Sequence, residues 1–120
     1  MNKLIIAGSR DFTDYAKLCS EVDEFAEEQK LYLDDLMVIS GTCRGADKLG
    51  EQWAFSHEIP VELFPANWNK FGKSAGYIRN EAMAKYSTHC IVFIKNHSKG
   101  SQHMIDLAKK YGLILKVVEV

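Results

Sequence analysis

The chain has 120 residues, of which 47% are hydrophobic and 26% charged, and its formal net charge is −1. This is the composition of an ordinary globular domain, and the length is enough to bury a core. No apolar run approaches the ~20 residues of a membrane-spanning helix, and the first residues lack the long apolar stretch of a signal peptide. The three cysteines are widely spaced, which argues against a disulfide framework. We therefore predict one domain over residues 1–120, located in the cytoplasm and away from membranes.

Strand and helix patterns alternate along the whole chain. Short apolar runs predict strands at 3–7, 36–40, 59–64, 89–94 and 113–118, and apolar residues at helical spacing predict helices at 13–30, 46–57, 76–86 and 101–111. Several strands are apolar on both faces, which is typical of a parallel sheet covered on both sides. The pattern predicts an α/β fold: a single Rossmann-like three-layer domain with a parallel sheet of about five strands and helices on both faces.

The first two strands each end in a turn of small and cationic residues. These turns are Gly8-Ser9-Arg10-Asp11 and Gly41-Thr42-Cys43-Arg44-Gly45, and a helix follows each of them. A glycine-bearing turn before a helix exposes backbone N–H groups, and the helix N-terminus carries roughly half a positive charge, so an anion such as phosphate is favoured there. Arg44 adds a side chain suited to bidentate phosphate contact. Taken alone, the second turn is equally compatible with an ordinary connection between strand and helix, in which the glycines only permit the backbone geometry.

The connection at residues 65–76 is long and contains Trp68 and Phe71. A connection of this length tends to be functional or disordered. The two aromatic side chains either stack on a nucleobase or pin the loop to the core, and both roles stay open. Gly72-Lys73-Ser74 lacks the earlier glycine and the directly preceding strand of a P-loop, which excludes that class of ATPase.

Arg79, Asn80 and Met83 share one face of the third predicted helix. Arg79 lies near the start of this helix, where the helix dipole disfavours a cation. We therefore expect it to have a partner, which is either a phosphate or a carboxylate such as Asp11 or Asp47; the second case is an internal ion pair without a role in binding. The same two aspartates are candidate N-caps or acceptors for ribose hydroxyls.

A third turn of this kind follows the strand at 89–94, where residues 95–101 lead into the last helix. The carboxyl ends of parallel strands meet at one edge of the sheet, where ligands bind in open α/β folds. Residues 13–36 hold a local charge of −6, so the rest of the chain carries +5, with arginines and lysines in or near the turns. Such local charge favours a small anionic ligand and disfavours nucleic acid as a partner. No His, Cys, Asp or Glu cluster has metal-ligand spacing, and we predict neither a metal nor a cofactor.

Five short motifs of the chain resemble those of the YspA-like group of the SLOG superfamily, whose domains are Rossmann-like. The motifs are Gly8-Ser9-Arg10-Asp11-Phe12, Gly41-x-x-Arg44-Gly45-Ala46-Asp47, Pro65-Ala66-x-Trp68, Gly76-x-x-Arg79-Asn80-x-x-Met83 and Ser98-Lys99-Gly100-Ser101. They span nearly the whole chain in the right order. Superfamily relatives include LOG-type phosphoribohydrolases of nucleoside monophosphates, the DNA-processing protein DprA and sensor domains for nucleotide-derived signals. The resemblance implies that residues 1–120 form a SLOG-like nucleotide-binding domain.

The turns and the resemblance together define a set of ligand-binding residues. The set comprises Gly8, Ser9, Arg10, Gly41, Arg44, Gly45, Asp47, Trp68, Arg79, Asn80, Ser98, Lys99, Gly100 and Ser101. Phosphate is expected at the helix starts beside Gly100–Ser101 and Gly41–Gly45, with the arginines as charge partners. Asp47 would contact a ribose, and Trp68 would stack on a base.

One position departs from the LOG pattern, because Met104 stands where the LOG hydrolases have their catalytic glutamate. A thioether can neither assist departure of a base nor activate water. Hydrolysis by that route would need Glu81, Asp47 or Asp106 as a substitute. Whether the chain is an enzyme therefore stays open.

Binding of a nucleotide or nucleotide-derived small molecule, in a sensor, carrier or processing role, is the function that the sequence favours. The first alternative is an N-glycosidase acting on a nucleoside monophosphate or an ADP-ribose-like molecule. The second is DprA-like binding of single-stranded DNA. Related SLOG proteins commonly self-associate, so the resemblance is also compatible with a homo-oligomer.

Overall fold

A computed structural model of residues 1–120 contains five strands, four helices of 11 to 14 residues and one single-turn helix. The strands are β1 (Asn2–Gly8), β2 (Leu36–Ser40), β3 (Val61–Leu63), β4 (His89–Ile94) and β5 (Ile114–Glu119). The helices are α1 (Tyr15–Glu28), α2 (Ala46–Ser56), α3 (Trp68–Phe71), α4 (Ala75–Tyr86) and α5 (Lys99–Lys110). No helix is both long enough and apolar enough to cross a lipid bilayer. The predicted alternation of strands and helices is confirmed.

The five strands form one parallel sheet in the order β3-β2-β1-β4-β5. Successive side chains of β1 point to opposite faces, so Leu4 and Ile6 pack with α1 and α2, while Ile5 and Ala7 pack with α4 and α5. Each face of the sheet therefore has its own hydrophobic core. Every residue of β4 is buried, as a strand covered on both sides requires. The predicted Rossmann-like three-layer fold is confirmed.

The direction in which strands are added to the sheet reverses at β1. The chain first runs outward from β1 to β2 and β3, with α1 and α2 on one face. It then crosses to β4 on the other side of β1 and continues to β5, with α4 and α5 on the opposite face. At such a reversal the connections leave toward opposite faces, and a crevice opens between the carboxyl ends of the two strands. Here that crevice lies beyond the ends of β1 and β4.

The connection at 65–76 is more ordered than its sequence pattern indicates. It contains α3 and a 3-10 turn at Gly72–Ser74, which leads into α4. The side-chain oxygen of Asn67 accepts a hydrogen bond from the backbone N–H of Lys70 at 3.1 Å and so caps α3. A single helical turn is too short to show a hydrophobic repeat, so periodicity could not reveal it. The asparagine cap is the local signal that marks it.

The N-cap role considered for Asp11 and Asp47 is wrong. Asp14 caps α1, because its carboxylate accepts a hydrogen bond from a first-turn N–H at 3.0 Å. Asp47 is the second residue of α2, and the cap position before this helix is Gly45, which offers no side chain. Asp11 instead lies 3.7 Å from the ammonium group of Lys95. Both aspartates are therefore left at the carboxyl edge of the sheet without a capping function.

Gly50 permits the close approach of α2 to β1. A Cβ at this position would lie 2.7 Å from Cγ2 of Ile6, a fully buried residue. We expect Gly50→Ala to lower the free energy of unfolding by about 1 kcal/mol, because overpacking of roughly 1–3 kcal/mol outweighs a gain of about 1 kcal/mol in helix propensity. Urea denaturation measures this difference. Gly100→Ala is the matched control, since its added methyl group would meet nothing within 4 Å; an equal loss in both variants would contradict the packing argument.

Candidate functional site

A cleft of about 480 Å³ opens at the carboxyl edge of the sheet, where the strand order reverses. Its walls come from the turns that follow β1, β2 and β4 and from residues of α4 and α5. The convergence of these three turns, expected from the sequence, is present in the fold. All of the predicted ligand-binding residues except Gly45, Trp68 and Lys99 line this cleft. Because these residues come from turns far apart in the sequence, only the parallel sheet brings them together.

The three arginines of the chain, Arg10, Arg44 and Arg79, all line the cleft. None of them forms an ion pair with a carboxylate, and Arg10 and Arg44 are exposed. A guanidinium group presents a planar fork of donors that matches the oxygens of a phosphate or carboxylate. The cleft therefore offers three guanidinium groups that have no carboxylate within ion-pair distance, although Arg10 and Arg79 are near enough to Asp47 to lower its pKa.

Arg79 holds the turn after β2 in place. Its Nη1 donates a hydrogen bond to the carbonyl oxygen of Gly41, its Nε donates to Oδ1 of Asn80 at 2.8 Å, and its Nη2 lies 3.7 Å from Sγ of Cys43. A Cβ on Gly41 would lie 3.1 Å from Nη1 of Arg79 and 2.8 Å from Oδ2 of Asp47, so the close approach requires glycine. The carboxylate ion pair considered for Arg79 does not form, and a backbone carbonyl takes its place.

Asp47 is the buried carboxyl group of the cleft, with 6% of its surface exposed. Its Oδ2 accepts a hydrogen bond from the backbone N–H of Cys43 at 3.1 Å. Burial raises the pKa of Asp47 to about 6, although this N–H and the nearby Arg79 and Arg10 act to lower it; Glu51 adds to the rise. A carboxyl group with this pKa can accept hydrogen bonds when ionised and exchange a proton near neutral pH.

The start of α5 forms another wall of the cleft. Ser98 caps this helix, and its Oγ accepts a hydrogen bond from the N–H of Ser101 at 3.5 Å. The N–H groups of the two residues between them have no partner within the helix, as at every helix start. The Oγ of Ser101 is buried and has no hydrogen-bond partner, which typically costs about 1–3 kcal/mol. A helix start with a buried, unpartnered hydroxyl is suited to an anion.

The turns after β2 and β4 contain residues in the left-handed backbone region. Thr42 has φ of +68°, and the neighbouring Asn96 and His97 both have φ of +53°. Non-glycine residues in this region cost on the order of 1–3 kcal/mol each and cluster at functional sites. Asn96 also lines the cleft, although we did not predict it as a site residue. The tolerance of asparagine for this conformation, at a junction of strand and helix, is the sequence signal that could have identified it.

Ser9 and Gly45 hold the turns around the cleft together. The backbone N–H of Ser9 donates to the carbonyl of Phe93 at 2.9 Å, and its Oγ accepts from the N–H of Lys95 at 2.8 Å. Gly45, with φ of +81°, packs on the backbone of the first turn, where a Cβ would lie 2.6 Å from the carbonyl carbon of Arg10. These two residues therefore set the shape of the cleft.

Several residues considered for the site lie elsewhere. Trp68 is 51% exposed and lines a neighbouring cleft, and Lys99 is exposed at the start of α5. Glu81, a candidate catalytic residue, accepts a hydrogen bond from the hydroxyl of Tyr111 at 3.1 Å and does not line the cleft. Met104, at the position of the LOG glutamate, does line it and is 2% exposed.

The chain is similar to known proteins over most of its length. Residues 2–71 match the family described as YspA, cpYpsA-related SLOG family. Over 119 residues the chain is 31% identical to the Gene 61 protein of Mycobacterium phage D29, an alignment that covers 94% of this chain and 93% of that protein. Its fold is similar to that of DNA processing protein A (DprA) from Streptococcus pneumoniae, with a TM-score of 0.75 and 18% identity over 98% of this chain; it spans 50% of that structure. The chain belongs to the YspA, cpYpsA-related SLOG family.

Proposed function

We propose that this chain binds a nucleotide or a nucleotide-derived small molecule in the cleft at the carboxyl edge of its sheet. The observation that carries the proposal is the convergence of all three arginines on one cleft, without an ion-pair partner for any of them. Arginine is the side chain best suited to bidentate contact with phosphate oxygens. The cleft volume of about 480 Å³ lies within the range of small-molecule sites, roughly 300–1,000 Å³.

The walls of the cleft suggest how such a ligand would lie. A phosphate would receive hydrogen bonds from the start of α5 and from the Oγ of Ser101, which would then gain the partner that it lacks. Arg10 and Arg44 would contact the same or an adjacent phosphate, and Asp47 would accept hydrogen bonds from ribose hydroxyls. We propose that residues 1–120 act as one domain in this role, because every wall of the cleft is built on the same sheet.

A second candidate function is hydrolysis of an N-glycosidic bond in the bound nucleotide. The observation in its favour is Asp47, a carboxyl group inside the cleft whose pKa burial raises to about 6, within the range useful for acid–base catalysis. Glu81 and Asp106 do not line the cleft, and Met104 supplies a thioether there. The hydrolase would therefore depend on Asp47, and its product would be a free base detectable by chromatography.

Binding of nucleic acid is a third function to be tested. The expectation that nucleic acid is disfavoured has no support from the fold comparison, since the neighbour is described as a DNA processing protein. Binding to single-stranded DNA would weaken steeply as salt is added, because phosphate contacts release counterions. A small nucleotide held inside the cleft would show a much weaker dependence on salt.

Thermal denaturation with a panel of nucleotides tests the proposal. The panel contains AMP, GMP, NAD, ADP-ribose, cyclic nucleotides and a single-stranded oligonucleotide, each followed by chromatography for released base. A nucleotide at 100 times its dissociation constant stabilises by about 2.7 kcal/mol, which raises the melting temperature of a domain of this size by several degrees. A shift without base release supports binding, and a shift with release supports the hydrolase. No shift with any member of the panel would contradict both.

A further inference from the structure

A second cleft, of about 410 Å³, adjoins the first. It lies between the turn after β2 and the start of the segment that carries α3, with Thr42 on one side and Pro65, Ala66 and Trp68 on the other. The two clefts have five lining residues in common, which are Arg10, Gly41, Cys43, Arg44 and Arg79. All three arginines therefore stand on the boundary between the two clefts.

Trp68 gives the second cleft an aromatic surface. It is 51% exposed, whereas the other tryptophan of the chain, Trp53, is 1% exposed and belongs to the core. Trp68 is in neither of the two core clusters, and it begins α3, whose cap at Asn67 fixes the local backbone. An exposed indole beside guanidinium groups is a suitable surface for a planar base, because every base has a face on which an aromatic ring can stack.

Each cleft has room for a nucleoside-sized group, and each lies within the size range of small-molecule sites. The first has the carboxyl group of Asp47 and the start of α5, and the second has Trp68 and the apolar Pro65 and Ala66. A mononucleotide occupying either cleft would leave the other unfilled while contacting the arginines from one side. A molecule with a nucleoside at each end and phosphate in the middle would use both clefts and place its phosphates at the arginine boundary.

We propose that the ligand is a dinucleotide, with two nucleosides joined through a diphosphate or phosphodiester. One nucleoside lies in the first cleft, the linking phosphates contact the three arginines, and the second base stacks on Trp68. This assignment rests on the proposed function, which it narrows from nucleotides in general to molecules with two nucleosides. It makes Trp68 a residue that distinguishes dinucleotides from mononucleotides, since Trp68 does not line the first cleft.

Isothermal titration calorimetry with two probes, AMP and diadenosine diphosphate, tests this proposal on the wild-type chain and on Trp68→Ala, Trp68→Phe and Phe71→Ala. We expect the dinucleotide to bind at least about tenfold more tightly than AMP, and Trp68→Ala to weaken the dinucleotide by about 5- to 150-fold while AMP is unaffected. Trp68→Phe keeps an aromatic face and is expected to retain most of the affinity. Phe71 lies on the same short helix but lines neither cleft, so Phe71→Ala is the matched control.

Tryptophan fluorescence provides an independent measurement. Because Trp53 is buried, quenching on addition of the dinucleotide reports a base on Trp68, and we expect AMP to cause little quenching.

Equal affinities for AMP and the dinucleotide, or an equal loss of affinity in Phe71→Ala and Trp68→Ala, would overturn the dinucleotide assignment while leaving nucleotide binding intact. Tighter binding of a 5′-phosphorylated single-stranded oligonucleotide of ten nucleotides than of the dinucleotide would also overturn the assignment. That result would identify a single-stranded nucleic acid as the preferred ligand. Absence of binding by every probe would refute the proposed function itself.

Discussion

Replacing Arg10 and Arg44 together by alanine is expected to weaken nucleotide binding by at least about 100-fold and to leave the melting temperature of the free protein nearly unchanged. Both side chains line the cleft, both are exposed, and neither has an ion-pair partner to lose. A hydrogen bond to a charged group contributes roughly 1.5–3 kcal/mol, so the loss of two such residues amounts to several kcal/mol of binding free energy. Calorimetric titration with the nucleotide identified by the panel, together with a thermal scan of the free variants, measures both quantities.

The control for this prediction removes two positive charges at positions outside the cleft. Lys85 and Lys109 are exposed on α4 and α5, and neither lines the cleft. The double variant Lys85→Ala, Lys109→Ala is expected to bind the nucleotide within about twofold of the wild type, because charges at a distance are screened by salt. If this variant lost as much affinity as the arginine double variant, the effect would come from net charge and the arginine site would be disproved.

Arg79 differs from the other two arginines in what its replacement removes. Its guanidinium group bonds the carbonyl of Gly41 and approaches Cys43, so Arg79→Ala would release the turn after β2 as well as a ligand contact. It also lowers the pKa of the buried Asp47, an effect that Arg10 shares to a smaller extent. Loss of binding in Arg79→Ala would therefore not separate a ligand contact from a structural role, which is why the test relies on Arg10 and Arg44.

Asp47→Asn is expected to stabilise the free protein at pH 8 by up to about 3 kcal/mol and to change its stability little at pH 4. The carboxyl group of an aspartate in an unfolded chain has a pKa near 3.9, while burial raises the pKa of Asp47 in the folded protein to about 6. Between these values the folded protein holds a proton that the unfolded chain has released. The free energy of unfolding therefore falls as the pH rises through this window, and a difference of about two pKa units corresponds to about 3 kcal/mol.

The amide of the variant keeps the oxygen that accepts the hydrogen bond from Cys43 and carries no charge at any pH. Urea denaturation of wild type and variant at pH 4, 6 and 8 gives the difference in their free energies of unfolding at each pH. Asp11→Asn is the control, because Asp11 is exposed at the rim of the same cleft and forms only a surface ion pair with Lys95. A difference between wild type and Asp47→Asn that is the same at pH 4 and pH 8 would show that ionisation of Asp47 does not limit stability.

This stability cost is informative about function. A buried carboxyl group that weakens the fold at neutral pH is the kind of feature that binding sites retain, since stability and activity often conflict. The strained backbone at Thr42, Asn96 and His97 and the unpartnered hydroxyl of Ser101 are further costs in the same region. All of them lie at the carboxyl edge of the sheet, although Lys30 and Glu58 also have positive φ and Ser87 also has an unpartnered hydroxyl elsewhere in the chain.

The sequence by itself determined the fold class and the order of its elements. Apolar runs such as those of β2 and β4 have the length and composition of buried strands, and the glycine-bearing turns lie between strand and helix. These signals are local in the sequence, so they can be recognised without knowing which residues are neighbours in the folded protein. The motif around Arg44 likewise indicated the family, which the match over residues 2–71 confirms.

Only the tertiary structure decided which of these residues have groups free in the cleft and which hold its turns together. The site motifs include Ser9, Gly45 and Arg79. In the structure, Ser9 and Gly45 connect the backbones of neighbouring turns, and Arg79 donates a hydrogen bond to a backbone carbonyl. The burial of Asp47 and the placement of all three arginines on the boundary of two clefts depend on contacts between turns dozens of residues apart. Burial and charge pairing are properties of neighbours in space, and a linear pattern does not contain them.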